Sequence, residues 1–189
     1  MTTFATAPTR RGFLGGLAAG LVLTGCVNPV GSRGPAIIDA RVAQTLDFMY
    51  RTYPSSRNLA DKAAGMLVMP VVTEATLGFG GAYGRGALLV NDATVDYYSA
   101  AQASVGLQIG AQQYAHVLFF MTPDALQSFR TSPGFAAGAG VEYAVPEQGL
   151  SALASTTTTL SPVIGVVFGQ QGLLAGASIE GKKYTRILP

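Results

Sequence analysis

Between Gly65 and Gly110 the chain reads GMLVMPVVTEATLGFGGAYGRGALLV, and after a short polar break VDYYSAAQASVGLQIG. Runs of Val, Leu, Met, Phe and Tyr are cut at short intervals by glycine. The pieces between cuts are strand-length and rich in residues that suit a pleated surface, so the stretch predicts closely spaced strands in a curved antiparallel sheet. Glycine then serves tight turns, bulges and close backbone approach.

Of the 189 residues, 49% are hydrophobic and only 12% are charged, which excludes a disordered protein and allows one domain with a sizeable core. No apolar run beyond the N-terminal segment reaches about 18 residues without a glycine, proline or polar break, so no spanning helix is expected there.

The first residues read as targeting. Thr9-Arg10-Arg11-Gly12-Phe13-Leu14 resembles a twin-arginine export signal, and the apolar run from Phe13 to Leu23 is short enough for a signal peptide. Leu23-Thr24-Gly25-Cys26 resembles a bacterial lipobox. Cys26 is the single cysteine, so no intramolecular disulfide is possible. The expectation is a signal over 1–25, a lipidated Cys26 with a Gly/Pro/Ser-rich tether over 26–36, and one domain over 37–189. Lasting attachment would follow from two or more acyl chains, at about 0.8 kcal/mol per buried methylene. Val27 stands where an aspartate would favour inner-membrane retention, so the periplasmic leaflet of an outer membrane is the expected location. Loss of Arg10 and Arg11 leaves ten basic residues against ten acidic ones, so net charge points to no nucleic-acid partner.

Within the domain, Ile38, Val42, Leu46, Met49 and Tyr53 recur at helical spacing, predicting an amphipathic helix over 37–53 that ends at Pro54. A second helix over 57–64, capped by Ser55 or Ser56, ends at Gly65, and Thr122-Pro123-Asp124 opens a third over 123–130. Strands are expected over 66–72, 81–90, 94–99, 104–111 and 115–120, then near 138–144, 162–168, 173–179 and 183–187. Asn91-Asp92, Gln112-Gln113, Gln170-Gln171-Gly172 and Glu180-Gly181-Lys182 are the expected turns. Residues 146–161 read as a variable loop or a weak helix. The fold class is α+β: a curved, mainly antiparallel sheet with about three covering helices.

Asp61-Lys62-Ala63-Ala64-Gly65-Met66, the glycine series Gly78 to Gly86, Tyr98-Ser99, Gly106-Leu107-Gln108-Ile109-Gly110-Ala111 and Gly172 to Gly181 follow a known pattern. Over about Arg57 to Arg186 the chain resembles the SYLF domain, also called the Ysc84 or Las17-binding actin-regulator family. That resemblance implies phospholipid binding, and in some members contact with actin. An exported protein would not meet actin, which leaves a phospholipid membrane as the implied partner.

Conventional catalytic patterns do not appear. His116 is the single histidine and sits among apolar neighbours, which suits a structural role better than a metal site. No Gly-x-Ser-x-Gly elbow occurs, and Gly86 is followed by Ala87-Leu88 instead of the Lys-Ser/Thr of a phosphate loop. The chain is therefore read as non-enzymatic, without cofactor or metal. Lys182, Lys183 and Arg186 form the densest basic cluster; with Lys62 in the family motif and Arg85 in the glycine series, they are the candidate contacts to anionic headgroups. Apolar rims near Phe79, Tyr83 or the first helix would touch acyl chains. The alternatives are a structural lipoprotein that holds a protein partner, and a lipid-transport module with an internal acyl cavity.

Overall fold

A computed structural model describes residues 33–137, 141–144, 161–172 and 179–189. The signal, Cys26 and most of the tether lie outside the described residues, as do the 146–160 part of the expected loop and residues 173–178.

Three helices and six strands make up the described chain: α1 (Gly34–Thr52), α2 (Ser56–Lys62), β1 (Gly65–Val90), β2 (Ala93–Phe120), α3 (Pro123–Thr131), β3 (Phe135–Ala136), β4 (Val141–Ala144), β5 (Val163–Gly172) and β6 (Lys183–Ile187). They form an α+β domain around one sheet in the order β3-β6-β2-β5-β4, with β1 also paired to β2. All pairings are antiparallel except β4 with β5.

The sheet is built on one very long ribbon. β1 has 26 residues and β2 has 28, and they pair from Gly65↔Phe120 to Val90↔Ala93. Asn91 and Asp92, both at positive φ, make the two-residue turn between them, a conformation that Asn and Asp tolerate. The five separate strands expected from the sequence are thus two. Gln112 and Gln113 form no turn: they pair with Glu74 and Thr73 and hydrogen-bond to those side chains. Gln171 and Gly172 also remain in a strand, β5, opposite Gln113 and Gln112. For Gln112 and Gln113, cross-strand polar partners hold residues whose polarity alone suggests a loop.

Length without breakage requires the ribbon to bend. Register shifts interrupt the pairing between Met69 and Val72 and between Leu77 and Gly78, where Gly78 takes φ +77°. There β1 doubles back so that its second half crosses its first. A Cβ on Gly80 would lie 2.4 Å from Thr76 Oγ1, one on Gly84 2.7 Å from the Val71 carbonyl oxygen, and one on Gly86 2.0 Å from that of Val68. Glycine is therefore required where strand crosses strand.

Two cores result. On one side, α1 and α2 bury Ile38, Val42, Met49 and Leu59 against Met66, Val68, Ala87, Leu89, Val117, Phe119, Ile164 and Val166. Asp39 pins α1, accepting hydrogen bonds from Thr94 Oγ1 at 3.0 Å and the Tyr97 hydroxyl at 2.9 Å. On the concave side, Leu67, Met69, Val72, Leu88, Tyr98, Tyr114, Leu118 and Phe120 enclose Phe129 of α3 and Tyr184 of β6. Thr122 caps α3 through its hydroxyl, which accepts from the Ala125 amide.

Candidate functional site: the outer face and bend of the ribbon

Strand alternation sorts the ribbon's side chains. From Phe79 to Gly86 of β1, odd-numbered positions are exposed, while Ala82, Gly84 and Gly86 are buried. Register carries the exposed face across two further strands. Tyr83 lies opposite Ala101, which lies opposite Lys183; Arg85 lies opposite Ser99, which lies opposite Thr185. Tyr83, Arg85, Ala101 and Lys183 are all exposed. The same face continues to the bend, where two directly opposed apolar pairs stand in the open. Leu77 and its partner Ile109 are each 73% exposed, and Phe79 and its partner Val105 each 80%. Isolated exposed apolar residues are ordinary, but two stacked cross-strand pairs form a patch.

The structure divides the basic residues singled out in the sequence. Arg85 and Lys183 share the outer face, and Lys183 lays its side chain across Gly134 so closely that a Cβ there would meet Cε. Arg85 stands on an extended strand opposite Ser99, without the bend expected around it. Lys62 is exposed at the end of α2, which packs through Leu59 into the core that holds Ala87 and Leu89, a little further along β1 than Arg85.

Lys182 and Arg186 require correction. Alternation turns Lys182, Tyr184 and Arg186 to the concave side, away from Lys183. Lys182 is fully buried and its Nζ donates to Gln102 Oε1 at 2.6 Å. Burial lowers its pKa to about 8, an effect the Glu74 carboxylate opposes. It presents no ammonium to a surface. Arg186 and Arg130 both pair with Asp96, a buried carboxylate whose side chain is 3% exposed. Arg186 therefore serves as a counter-ion inside the fold although its own side chain reaches solvent.

His116 is buried and hydrogen-bonded between Nε2 and the Tyr184 hydroxyl at 2.8 Å. Burial, then the Lys182 charge, pushes its pKa down to about 3, so it is neutral at pH 7. Among the described residues no three His, Cys, Asp or Glu side chains gather to hold a metal ion, and no helix is long and apolar enough to cross a membrane. A groove of about 300 Å³ opens between α1 and the sheet, lined by Phe48, Pro70, Val71, Phe168 and the uncharged Gln44 and Gln113. Its volume is at the lower end of small-molecule pockets.

The bend and its apolar pairs were only half visible in the sequence. Phe79 and Tyr83 stood out as aromatic residues in a glycine series. Val105, the partner of Phe79, and the Leu77–Ile109 pair did not, because cross-strand register cannot be read without the ribbon's turn.

No curated protein matches the chain. Residues 101–186 match the family model described as Ysc84, Las17-binding protein actin regulator. The match runs from the middle of β2 to Arg186 in β6, so it contains Val105, Ile109 and Lys183 and follows the β1 positions of Phe79 and Arg85. Over residues 101–186 the chain thus carries the signature of the Ysc84, or SYLF, family.

Proposed function

We propose that this chain is an exported lipoprotein, anchored through Cys26 in the periplasmic leaflet of the outer membrane, whose domain binds phospholipid membranes without catalysis. The observation that carries the reading is the exposure of Leu77, Phe79, Val105 and Ile109 on a face that also bears Arg85 and Lys183. Such a face matches a surface that is apolar inside and anionic at its rim. Burying a side chain of this kind contributes roughly 1.5–3 kcal/mol. A cation near an anionic surface contributes about 1 kcal/mol. Four apolar side chains thus outweigh two cations, and binding depends on the bend first and on charge second. Similarity over residues 101–186 to a family described by binding of a partner agrees with a binding role.

Flotation of the Cys26→Ser protein with vesicles of phosphatidylethanolamine and phosphatidylglycerol tests this, since the variant has no lipid anchor of its own. Flotation is expected, stronger with more phosphatidylglycerol and only partly reversed by salt. Protein that stays at the bottom at low salt would refute membrane recognition by the domain.

A second reading rests on one feature. Among the described residues β1 pairs with β2 alone, and its other edge is free to accept a strand. A protein partner at that edge would bind equally well without vesicles. The small uncharged groove supports lipid transport less well than docking.

A further inference from the structure

The bend reverses the usual polarity of a sheet in water. Its outer side carries Leu77, Phe79, Val105 and Ile109, with Tyr83 close behind. The opposite side is polar. Glu74 faces Gln112 in register, Gly80 faces Ser104, and Ala82 faces Gln102. Hydrogen bonds join these inner groups: Gln112 Nε2 donates to Glu74 Oε2 at 3.1 Å, Lys182 Nζ to Gln102 Oε1 at 2.6 Å, and Gln102 Nε2 to the Glu180 carbonyl at 2.9 Å, with Gln112 Oε1 left without a partner among the described residues. A sheet in water turns its apolar side inward; a sheet surrounded by hydrocarbon turns it outward and pairs its polar groups inside.

We infer that the bend of the ribbon is a membrane-penetrating tip, which enters the upper acyl region of the bilayer as a folded unit while Arg85 and Lys183 stay at headgroup level. This rests on the membrane reading and adds to it the element that enters and its depth. Two features set that depth. The charged side chains on the outer face begin at Lys183, level with Tyr83, and continue at Arg85 two residues further along β1, and they mark where apolar surface gives way to the phosphate layer. Among the described residues β1 has no second strand partner, and such an edge limits entry to the upper acyl region, since amides and carbonyls deeper in the hydrocarbon core would have no partner. Apart from the bulge between Leu77 and Gly78, β1 and β2 are already paired across the bend, so the ribbon can enter without separating.

The chain has no tryptophan, so one introduced indole reports from a single known place. The Cys26→Ser protein would carry Phe79→Trp, Val105→Trp or, as a control near the hairpin turn, Val95→Trp. Each is mixed with phosphatidylethanolamine/phosphatidylglycerol vesicles whose lipids bear bromine on the upper acyl chain, and flotation is read on the same samples. The expected result is a blue shift and strong bromine quenching at positions 79 and 105, with neither at 95. Leu77→Ser with Phe79→Ser, both at exposed positions that leave the core intact, should lower the apparent vesicle affinity about a hundredfold or more.

Flotation without quenching at 79 and 105 would overturn insertion and leave surface binding standing. Absence of flotation would overturn both. A blue shift at 79 that appears without vesicles and grows with protein concentration would show that a second copy covers the bend, and would overturn insertion as well.

Discussion

Gly86 lies against the backbone of Val68: a Cβ on the glycine would be 2.0 Å from the Val68 carbonyl oxygen and 2.5 Å from Met69 Sδ. Methionine can move aside, but a ladder carbonyl cannot. Gly86→Ala should therefore cost about 3 kcal/mol or prevent folding, near the upper end of overpacking effects. Gly78→Ala meets open space and bears only the positive φ, for an expected cost of about 1–2 kcal/mol. Urea unfolding of the two variants checks the contrast; equal losses would mean that β1 does not cross itself as described.

Asp96 holds two arginines with a carboxylate that is 3% exposed. Removing it strands two cations that reach solvent, so Asp96→Ala should destabilise by about 2 kcal/mol, less than for a fully buried pair. Arg186→Ala leaves Arg130 in place and should cost less than about 1 kcal/mol. Thermal unfolding of both variants decides whether this is a structural ion pair.

His116 makes stability depend on pH. The folded form keeps the ring neutral down to about 3, whereas the unfolded chain protonates it near 6.5. The unfolded state thus binds more protons between those values. Stability is full above 6.5, falls as pH drops, and completes that loss near 3. Because the chain has one histidine, a fall in the urea midpoint between pH 7 and 5 that vanishes in His116→Gln identifies the group. Lys182 acts in the alkaline range: its folded pKa of about 8 lies below the ordinary 10.5, so stability should climb with pH between them.

Charge reversal should separate the two sides of β6. Arg85→Glu with Lys183→Glu is expected to reduce affinity for anionic vesicles at least about thirtyfold, at about 1 kcal/mol per cation lost, with the unfolding midpoint nearly unchanged. Arg186→Glu should do the opposite, lowering the midpoint through Asp96 while leaving vesicle binding close to that of the parent. A reversed pattern would return Arg186 to the membrane face.

Much of the fold was legible because it rests on local signals. The helical spacing of Ile38, Val42 and Met49, the Thr122-Pro123 start and the Asn91-Asp92 turn each depend on a few neighbouring residues, and each is found where expected within a few residues. What stayed hidden depends on partners distant in sequence. Gln112 looks like a turn residue until Glu74 is placed opposite, and nothing local in the 81–90 strand shows that Val71 lies beneath Gly84. The basic cluster failed for a nearer reason. Lys182 and Lys183 are adjacent in the chain, and in a strand adjacency sends them to opposite faces.

A ribbon with its turn midway along 56 consecutive residues also implies an order of assembly. Pairing closes outward from Asn91-Asp92, each step adding only a short loop, so this part should be fast. The crossing of Gly84 and Gly86 over Val68 to Val72 joins stretches that the zipper has already stiffened, and β5 and β6 then dock on a strand that exists in full. Folding should thus be limited by bending a finished ribbon, and Gly84→Ala should slow refolding far more than Asp96→Ala in stopped-flow measurements. The glycines would then set not the shape alone but the time taken to reach it.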